Sequence, residues 1–534
     1  FFWQQQHEDG QKILILENHD DFGGHARRND FDVDGKQLIG YGGSETMENP
    51  SQYSRVSKRL LRDLGINFDD FFDHYDQKID ERFDLRAGIH FSSEVYGRDV
   101  TTRDPFALWE EPMSGRDARR AIDRFPVSDA SKQDLLRLLT DERDYLEDME
   151  PDAKLHHALT TSYSDYLRET VGVTDEVVEM LRDVALDGED VGWDAASIEA
   201  AWWSEMPATY GIDFGDYGED DEFDEDPYIH HFPDGNSSIA RALISRLIPN
   251  AVSDPQADSL VRIFENSVDY SRLDSTDENV RLRLNATVVD VRHATGGSAV
   301  DTVYVKGGSP QRVRGKHVIL ACYNNVVPHI CPDLGDEQRE ALSYAEKIPL
   351  TYATIAVRHW RYLTELGING VYVPNAPLAN GIYADYPVNM GEYRYAENTD
   401  QPLALRAICM MREPNKGLTA REQHRAGRRR LLEMSFDDHE RLLIEQLDSA
   451  FGSAGFDAER DIAAITVNRW PHGYAYEYNT LFDPMGYSAD EGPHIVGRAQ
   501  VGRISIANSD STTRAYIDAA IDAADRAVSE QMTL

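Results

Sequence analysis

The fold follows from the stretch Lys12-Ile-Leu-Ile-Leu-Glu17-Asn-His-Asp-Asp-Phe-Gly23-Gly24-His25-Ala-Arg27-Arg28. Its apolar residues, 13–16, predict a short buried strand that ends at the carboxylate of Glu17. In a doubly wound nucleotide-binding domain, a carboxylate at that position accepts hydrogen bonds from a ribose, and the glycines after it let the backbone approach phosphate. The stretch therefore predicts one half of a dinucleotide-binding domain.

The other half of such a domain is a strand, a G-x-G-x-x-G turn and a helix. Residues 1–7 have the composition of the last turns of that helix. We therefore expect the first strand and the glycine turn to precede residue 1, so that the chain begins inside its own cofactor domain.

Composition limits the classes of function. The 534 residues can form two or more domains, and the net charge of -41 without a basic stripe excludes nucleic acid as a partner. The acidic surface indicates salt adaptation and solubility, attraction of a cationic substrate, or both. The three cysteines form no C-x-x-C pair, which excludes a disulfide framework and a thiolate zinc site. No apolar run is long enough for a transmembrane segment.

Patterns typical of nucleotide-domain strands recur at the start, the middle (280–293) and the end of the chain, and residues 237–247 predict a helix after Asn236. Between them lie blocks that predict helices, at 51–66, 115–190, 336–347 and 435–452, and strands, at 70–100, 351–357, 370–373, 403–410 and 462–470. A charged run, 213–226, predicts a surface loop, and residues 512–531 predict a closing helix. We predict an α/β fold in which an FAD-binding Rossmann-like domain (1–50, 228–335 and 495–534) interleaves with an α+β substrate domain (51–227 and 336–494).

One aromatic stretch, residues 470–478, is the best candidate for contact with a substrate. Alternation predicts that Tyr474, Tyr476 and Tyr478 share one face of an extended segment, where aromatic walls suit an alkylammonium chain. Glu477 could pair with a distal ammonium. With Trp470 and His472 these are the predicted substrate-side residues, and an aromatic core strand is the alternative.

The histidine pairs His156-His157 and His230-His231 invite a metal or haem hypothesis. Adjacent helical residues point about 100° apart, so such a pair does not ligate one metal together. We predict no metal site; haem ligation by a single histidine stays open.

Several of these segments resemble bacterial spermidine dehydrogenases, flavin-dependent members of the amine oxidase fold group. The resemblance covers residues 13–28, 38–45, 227–249, 468–478 and 503–524, in the same order. Three motifs are particularly close: residues 18–25, 231–241 and 469–478. The resemblance implies FAD, oxidation of an amine to an imine by hydride transfer to the flavin, and hydrolysis of the imine.

The resemblance also implies the cofactor contacts. Glu17 would bind the ribose, the backbone of Val288 the adenine edge, and the Gly-Gly-x-x-Arg residues the diphosphate and ribityl chain. Asp234-Gly235-Asn236 would mark the return of the chain to the FAD domain. The predicted cofactor-binding residues are Glu17, Gly23, Gly24, Arg27, Gly42, Gly43, Ser44, Val288, Asn508, Asp510, Tyr516 and Ile517. Glycines 42 and 43 would pass the isoalloxazine ring, and the helix at Tyr516 and Ile517 would direct its N-terminus at the reduced ring.

The sequence thus predicts an FAD-dependent amine dehydrogenase or oxidase acting on a polyamine such as spermidine. Some family members carry haem b, and many carry an export signal, so haem and a periplasmic location are further expectations. A homodimer is open, and the electron acceptor is not predicted. The alternatives are a flavoenzyme on another substrate class, desaturase-like or isomerase-like with an apolar pocket, and a non-catalytic subunit that retains the fold.

Overall fold

The structure is a computed structural model that describes residues 1–6, 10–107, 113–184, 191–218 and 226–534. The end of the predicted helical block and most of the predicted surface loop, 219–225, lie outside the described residues. The described residues form strands from near the start of the chain to near its end. The strands are β1 Ile13–Leu16, β2 Arg28–Val33, β3 Lys36–Tyr41, β4 Arg86–Phe91, β5 Val100–Arg103, β6 Val280–Arg283, β7 Thr287–His293, β8 Val300–Lys306, β9 Ser309–Gly315, β10 Val318–Leu320, β11 Leu350–Val357, β12 Ile368–Tyr372, β13 Gly381–Ala384, β14 Leu403–Met410, β15 Ile462–Trp470 and β16 Ile504–Ile506.

Helices alternate with these strands, and none in the described part of the chain has the length and apolarity needed to cross a bilayer. The helices are α1 Phe2–Gln6, α2 Arg55–Leu64, α3 Ile79–Phe83, α4 Ser93–Tyr96, α5 Gly115–Arg124, α6 Asp129–Leu138, α7 Pro151–Thr160, α8 Tyr163–Asp165, α9 Asp175–Leu181, α10 Ile198–Trp203, α11 Ser237–Leu247, α12 Leu260–Phe264, α13 Val327–Ile330, α14 Asp336–Tyr344, α15 Arg361–Leu366, α16 Ala420–Glu433, α17 Phe436–Phe451, α18 Ala458–Asp461, α19 Pro493–Gly497 and α20 Ile517–Met532.

Two pairs of parallel strands carry the predicted nucleotide-binding segments. β1 pairs with β6, and β10 pairs with β16. Glu17 follows β1 directly, and Asn508 follows β16 after a single alanine. Because ligands of parallel α/β sheets bind at the carboxyl ends of the strands, these pairs place both predicted cofactor segments where a nucleotide site is expected.

A seven-stranded sheet, in the order β15-β11-β14-β13-β12-β4-β5, forms the second layer. Side chains of β14 alternate between its faces, as a strand requires. Leu405 and Ala407 pack on one face with Leu443 of α17, whereas Ile408 and Met410 pack on the other face with Tyr41 of β3. This second face closes over the segment that follows β3, which is where the candidate site lies. The predicted division into two domains stays a prediction.

Three sequence-based predictions need correction. Residues 70–100 are not mainly strand, because the segment starts with the 3-10 turn Phe68–Asp73, in which Phe71 is buried and Phe72 is 49% exposed, and continues into α3. The strand predicted over 280–293 breaks at Asn285, whose φ of 53° is left-handed. The closing helix begins at Ile517 instead of residue 512, because Thr513 has a φ of 54° that a helix does not tolerate.

Candidate active site

The predicted ribose ligand lies next to the predicted adenine strand. Backbone N–H of Ala286 donates to the carbonyl of Glu17 at 2.8 Å, and the Thr287 hydroxyl donates to the Asn18 amide oxygen at 2.5 Å. Val288 therefore lies beside the end of β1. The Glu17 carboxylate accepts from the backbone N–H of His19, and the side chain of His19 is the main partner that lowers the pKa of this carboxyl against its burial.

The predicted glycine segments form one layer of turns at residues 25–27, 42–44 and 234–236, which we call the glycine layer. The N–H of Gly42 donates to Arg27, the N–H of Ser44 donates to His25, and the N–H of Asn236 donates to Ser44, each to a backbone oxygen. Segments 13–28, 38–45 and 227–249, the last of which lies far from the other two in the sequence, are thus hydrogen-bonded to one another. Arg27 itself points outward to Asp20, at 3.0 Å.

Gly235 holds this layer together, so Gly235→Ala is expected to disrupt it. Its φ is 58°, and an added Cβ would lie 2.4 Å from the carbonyl oxygen of Ser44. We expect a loss of about 1–2 kcal/mol from the backbone conformation alone, plus the cost of displacing Ser44. Gly172→Ala is the matched control, because Gly172 has a φ of 72° but no atom within 4 Å of its Cβ position. Thermal denaturation of both variants checks the prediction; equal losses would contradict it.

At the carboxyl ends of β10 and β16, Asp510 is held by two protein groups. Its carboxylate, 0% exposed, accepts from Lys347 Nζ at 2.6 Å and from the N–H of Asn324 at 2.9 Å. Lys347 is 3% exposed and lies 4.5 Å from the centre of the Tyr323 ring. Both carboxylate oxygens of Asp510 therefore already have partners, so Asp510 would orient this end of the site more than bind a ribityl chain directly.

Aromatic and imidazole rings line the space between Lys347 and the glycine layer. The His25 ring lies 4.5 Å from the Trp470 ring, and its Nε2 lies 2.7 Å from the Tyr323 hydroxyl. Trp470 donates from Nε1 to the carbonyl of Gly42 at 2.5 Å. Burial lowers the pKa of His25 to about 3 and that of His472 to about 4, so both rings are neutral at physiological pH. The structure thus brings the predicted Trp470 and His472 to the glycine layer.

These residues fit the FAD that the resemblance implies. Three buried polar atoms near the carboxyl ends of β10 and β16 find no hydrogen-bond partner among the described residues: Asn325 Oδ1, Asn508 Oδ1 and Ser511 Oγ. Polar atoms are rarely buried without a partner, and a polar cofactor would supply one. The site therefore offers a ribose acceptor at Glu17, backbone turns at Gly42 and Gly43, and unpaired polar groups around Asn508.

The start of α20 agrees less well with its predicted role. Tyr516 precedes the helix and Ile517 opens it, later than the sequence predicts, and the first turn carries the buried carboxylate of Asp518, paired with Arg514 at 3.2 Å. That negative charge offsets part of the positive helix terminus. Any stabilisation of a reduced ring at this position would come from backbone N–H groups more than from the helix dipole.

The remaining predicted substrate-side residues lie in two different places in the structure. The hydroxyl of Tyr474 pairs with that of Tyr352 at 2.9 Å, whereas the hydroxyl of Tyr476 donates to Asp483 at 2.6 Å. Glu477 accepts from the N–H of Ala515 at 3.1 Å, just before α20. The rings of Tyr476 and Tyr478 lie edge to face with centres 6.2 Å apart, whereas Tyr474 packs against the cluster of Tyr41 and Trp470. The three tyrosines therefore form no single aromatic wall, and Glu477 fixes the backbone before α20.

Glu45, which the sequence-based prediction omitted, is the carboxylate that lies beside the glycine layer, in place of the predicted Glu477. It follows the Gly42-Gly43-Ser44 turn, and its side chain is 17% exposed. Its Oε1 accepts from the hydroxyls of Tyr228, at 3.0 Å, and Tyr386, at 3.4 Å, and its Oε2 lies 3.7 Å from Arg406. A carboxylate therefore lies next to the glycine layer, contrary to the apolar pocket that a desaturase-like or isomerase-like enzyme would have.

Aromatic rings surround this carboxylate. The rings of His231 and Tyr386 stack with centres 3.9 Å apart, and the guanidinium of Arg406 lies 4.2 Å from the centre of the Tyr386 ring. We call Tyr41, Glu45, Tyr228, His231, Tyr386 and Arg406 the Glu45 cage. Within it, five buried atoms have no hydrogen-bond partner among the described residues: Tyr41 Oη, Glu45 Oε2, both ring nitrogens of His231 and Arg406 Nε.

His231 stays neutral in the cage, because burial lowers its pKa to about 3. Its side chain is 1% exposed. Among the described residues, no group of three or more His, Cys, Asp or Glu side chains is placed to hold a metal ion. The neutral, unpaired imidazole is therefore suited to hydrogen-bond a ligand in the cage.

The sequence offered weak signals for the residues it missed. Glu45 directly follows a Gly-Gly-Ser turn, and Lys347 is one of few lysines and precedes a strand that is buried along its length. His231 stood out only as half of a histidine pair and as the start of the motif 231–241, and Tyr386 and Arg406 gave no signal, because these three residues come from segments far apart in the sequence.

Comparisons with known proteins agree with this architecture. The family model of flavin containing amine oxidoreductases matches residues 259–530, slightly more than half of the chain. No curated protein matches. A wild-type putrescine oxidase bound to putrescine is 15% identical, with a TM-score of 0.51 over 100% of this chain and 95% of that one. Cyclohexylamine oxidase from Brevibacterium oxydans IH-35A is 13% identical, with a TM-score of 0.50 over the same shares. These likenesses confirm the predicted α/β fold class.

Proposed function

Because this chain belongs to the family of flavin-containing amine oxidoreductases, we propose that it oxidises a polyamine, with spermidine as the reference substrate. Family membership supports flavin-dependent amine oxidation in general. The choice of a polyamine, and the narrower assignment to spermidine dehydrogenases, are parts of the proposal.

One observation carries this choice: Oε2 of Glu45 is buried and without a hydrogen-bond partner among the described residues, inside a ring of aromatic side chains. An ammonium group suits this position, since it donates hydrogen bonds to a carboxylate and is attracted by the faces of aromatic rings. A diamine or polyamine keeps such an ammonium at a distance from the nitrogen that reacts. We therefore assign Glu45 to the ammonium next to the reacting nitrogen.

The cage and the glycine layer would prepare the substrate for oxidation. Burial against Tyr41 and Trp470 disfavours the charged form of the reacting amine, so that its nitrogen loses a proton, while Glu45 keeps the neighbouring ammonium charged. When bound, the flavin supplies a two-electron acceptor for the hydride from the carbon beside that nitrogen. The resulting imine is hydrolysed by water. Fixing both nitrogens orients the carbon–hydrogen bond, which is the main task of the protein in this reaction.

For the cofactor we assign Glu17 to the ribose and the backbone of Val288 to the adenine. Gly42, Gly43 and Ser44 would pass the flavin ring, and Asn508 would reach the ribityl chain. Lys347 and Asp510 would fix this end of the site as a buried ion pair. These roles follow the contacts described above and the sequence resemblance.

Turnover with an artificial electron acceptor tests the substrate class. We expect spermidine and 1,4-diaminobutane to be oxidised with a kcat/KM well above that of butylamine, since only the first two present an ammonium to Glu45. A visible spectrum of the purified enzyme would reveal haem b by its Soret band. Equal kcat/KM for butylamine and 1,4-diaminobutane would contradict the proposal, and a preparation with no flavin absorbance would indicate a non-catalytic subunit.

Arg406 favours one alternative within the same family, oxidation of an amino acid. Its Nε has no hydrogen-bond partner among the described residues and lies in the cage with Glu45. A guanidinium binds a substrate carboxylate well. Lysine and 1,5-diaminopentane differ by one carboxylate, so a higher kcat/KM for lysine would support this alternative, and a higher value for the diamine supports a polyamine.

A further inference from the structure

A cavity adjoins the Glu45 cage. It has a volume of about 310 Å³ and lies between the ends of β13 and β14 and residues 75–85. Aromatic side chains line it, among them Tyr75, Tyr395 and Trp360, together with the carboxylates of Asp76, Asp80 and Asp385. The cavity is therefore both aromatic and acidic.

Asp385 is the carboxylate of this cavity that lacks a counterion. Asp76 pairs with Arg82 at 2.5 Å, whereas Asp385 forms no ion pair with any described residue. One of its oxygens accepts from the N–H of Tyr386 at 2.8 Å. Burial raises the pKa of Asp385 to about 7, although the charge of Arg406 acts in the opposite direction. A partly buried carboxylate without a counterion is costly, and a bound cation would offset the cost.

The cavity and the cage share a wall. Tyr386 and Arg406 line the cavity, and the same two side chains contact Glu45. Glu45 and Asp385 thus both lie near the same aromatic residue and the same guanidinium. Arg406 can balance only one of these two carboxylates. A ligand with positive charges at two points along its length would complement both.

We propose that this cavity is an outer subsite for a second ammonium group of the substrate, which makes the substrate class triamines and longer polyamines. The inference rests on the proposed function. The reacting nitrogen lies at the glycine layer, the next ammonium at Glu45 and the following one at Asp385, beside Tyr75. A diamine fills only the first two positions.

Binding to the holoenzyme reduced in advance with dithionite, which cannot turn over, tests the subsite by calorimetry. We expect spermidine to bind at least tenfold more tightly than 1,4-diaminobutane. Asp385→Asn should remove most of that preference, while Asp152→Asn, at an exposed position on α7, should retain it. The Asn amide can still accept from Tyr386, so the backbone there need not change.

The outcomes separate the two proposals. If Asp385→Asn keeps the wild-type preference for spermidine, or if wild type has none, the outer subsite is wrong while the polyamine proposal stands. If neither polyamine binds or reacts, the proposed function itself fails.

The stability of Asp385→Asn provides a readout that does not depend on the bound cofactor. Unfolded aspartate releases its proton near its ordinary pKa of 3.8, whereas folded Asp385 keeps it to about 7. Between these values the unfolded state binds fewer protons, so this group lowers stability as pH rises through that window. The charged groups around it, Arg406, Glu45, Asp76 and Asp80, are the same in the variant. We expect Asp385→Asn to melt a few degrees above wild type at pH 8 and level with it near pH 4; a lower Tm at pH 8 would overturn the assignment of Asp385 as an uncompensated carboxylate.

Discussion

Glu45→Gln is expected to lower kcat/KM for spermidine by roughly 100-fold, since removing one partner of an enclosed charge pair costs about 2–5 kcal/mol. The glutamine side chain has nearly the same shape, so the hydroxyls of Tyr228 and Tyr386 keep an oxygen acceptor at their present distances of 3.0 and 3.4 Å. The variant therefore removes the charge and little else. Because the ammonium is bound both before and during the reaction, most of the loss should appear as a higher KM.

Two controls make this result specific. Butylamine presents no second ammonium, so Glu45→Gln should change its kcat/KM far less than that of spermidine. Glu94→Gln removes an exposed carboxylate from α4 and should leave the kinetics of spermidine within twofold of wild type. A loss of equal size with butylamine and spermidine would show that Glu45 does not recognise an ammonium.

Lys347→Met should lower the free energy of unfolding by about 3–5 kcal/mol, because it leaves the buried carboxylate of Asp510 without its counterion. The pair has a 2.6 Å contact, and both side chains are almost fully buried. Methionine nearly preserves the volume of lysine, so the loss would come from the charge and not from a cavity. Urea denaturation monitored by tryptophan fluorescence measures it.

The double variant Lys347→Met/Asp510→Asn serves as the internal control. It removes both charges, so it should recover a large part of the stability lost in Lys347→Met. Lys416→Met, at an exposed pair with Glu413, should change the free energy of unfolding by less than about 1 kcal/mol. A Lys347→Met protein as stable as the Lys416→Met protein would contradict the structural role of the pair.

The sequence was sufficient where local chemistry determines local structure. The apolar run at 13–16 gives β1 with the predicted bounds, and the helix after Asn236 occupies Ser237–Leu247. The predicted strand Ile462–Trp470 is likewise observed. Proline follows the helix and the strand within two residues, at Pro249 and Pro471, and neither element can continue through it. Alternation alone misled over 70–100, because turns and short helices can bury every second aromatic residue as a strand does.

The sequence was not sufficient where side chains from distant segments meet. The Glu45 cage joins Tyr41 of β3, His231 before α11 and Arg406 of β14, and no spacing connects these positions. The tyrosines at 474, 476 and 478 were predicted to share one face. Tyr476 and Tyr478 do contact each other, but Tyr474 pairs with Tyr352, because that segment lies outside the named strands and nothing imposes the alternation of a strand on it.

We propose that the chain binds FAD and oxidises a polyamine beside Glu45. Anaerobic mixing of the holoenzyme with spermidine tests it most directly, because no electron acceptor is needed and one turnover is observed. We expect stoichiometric bleaching of the visible flavin band, fast in wild type and saturating at a much higher spermidine concentration in Glu45→Gln. A flavin band that spermidine and 1,4-diaminobutane leave unchanged, in a protein that dithionite reduces normally, would contradict it.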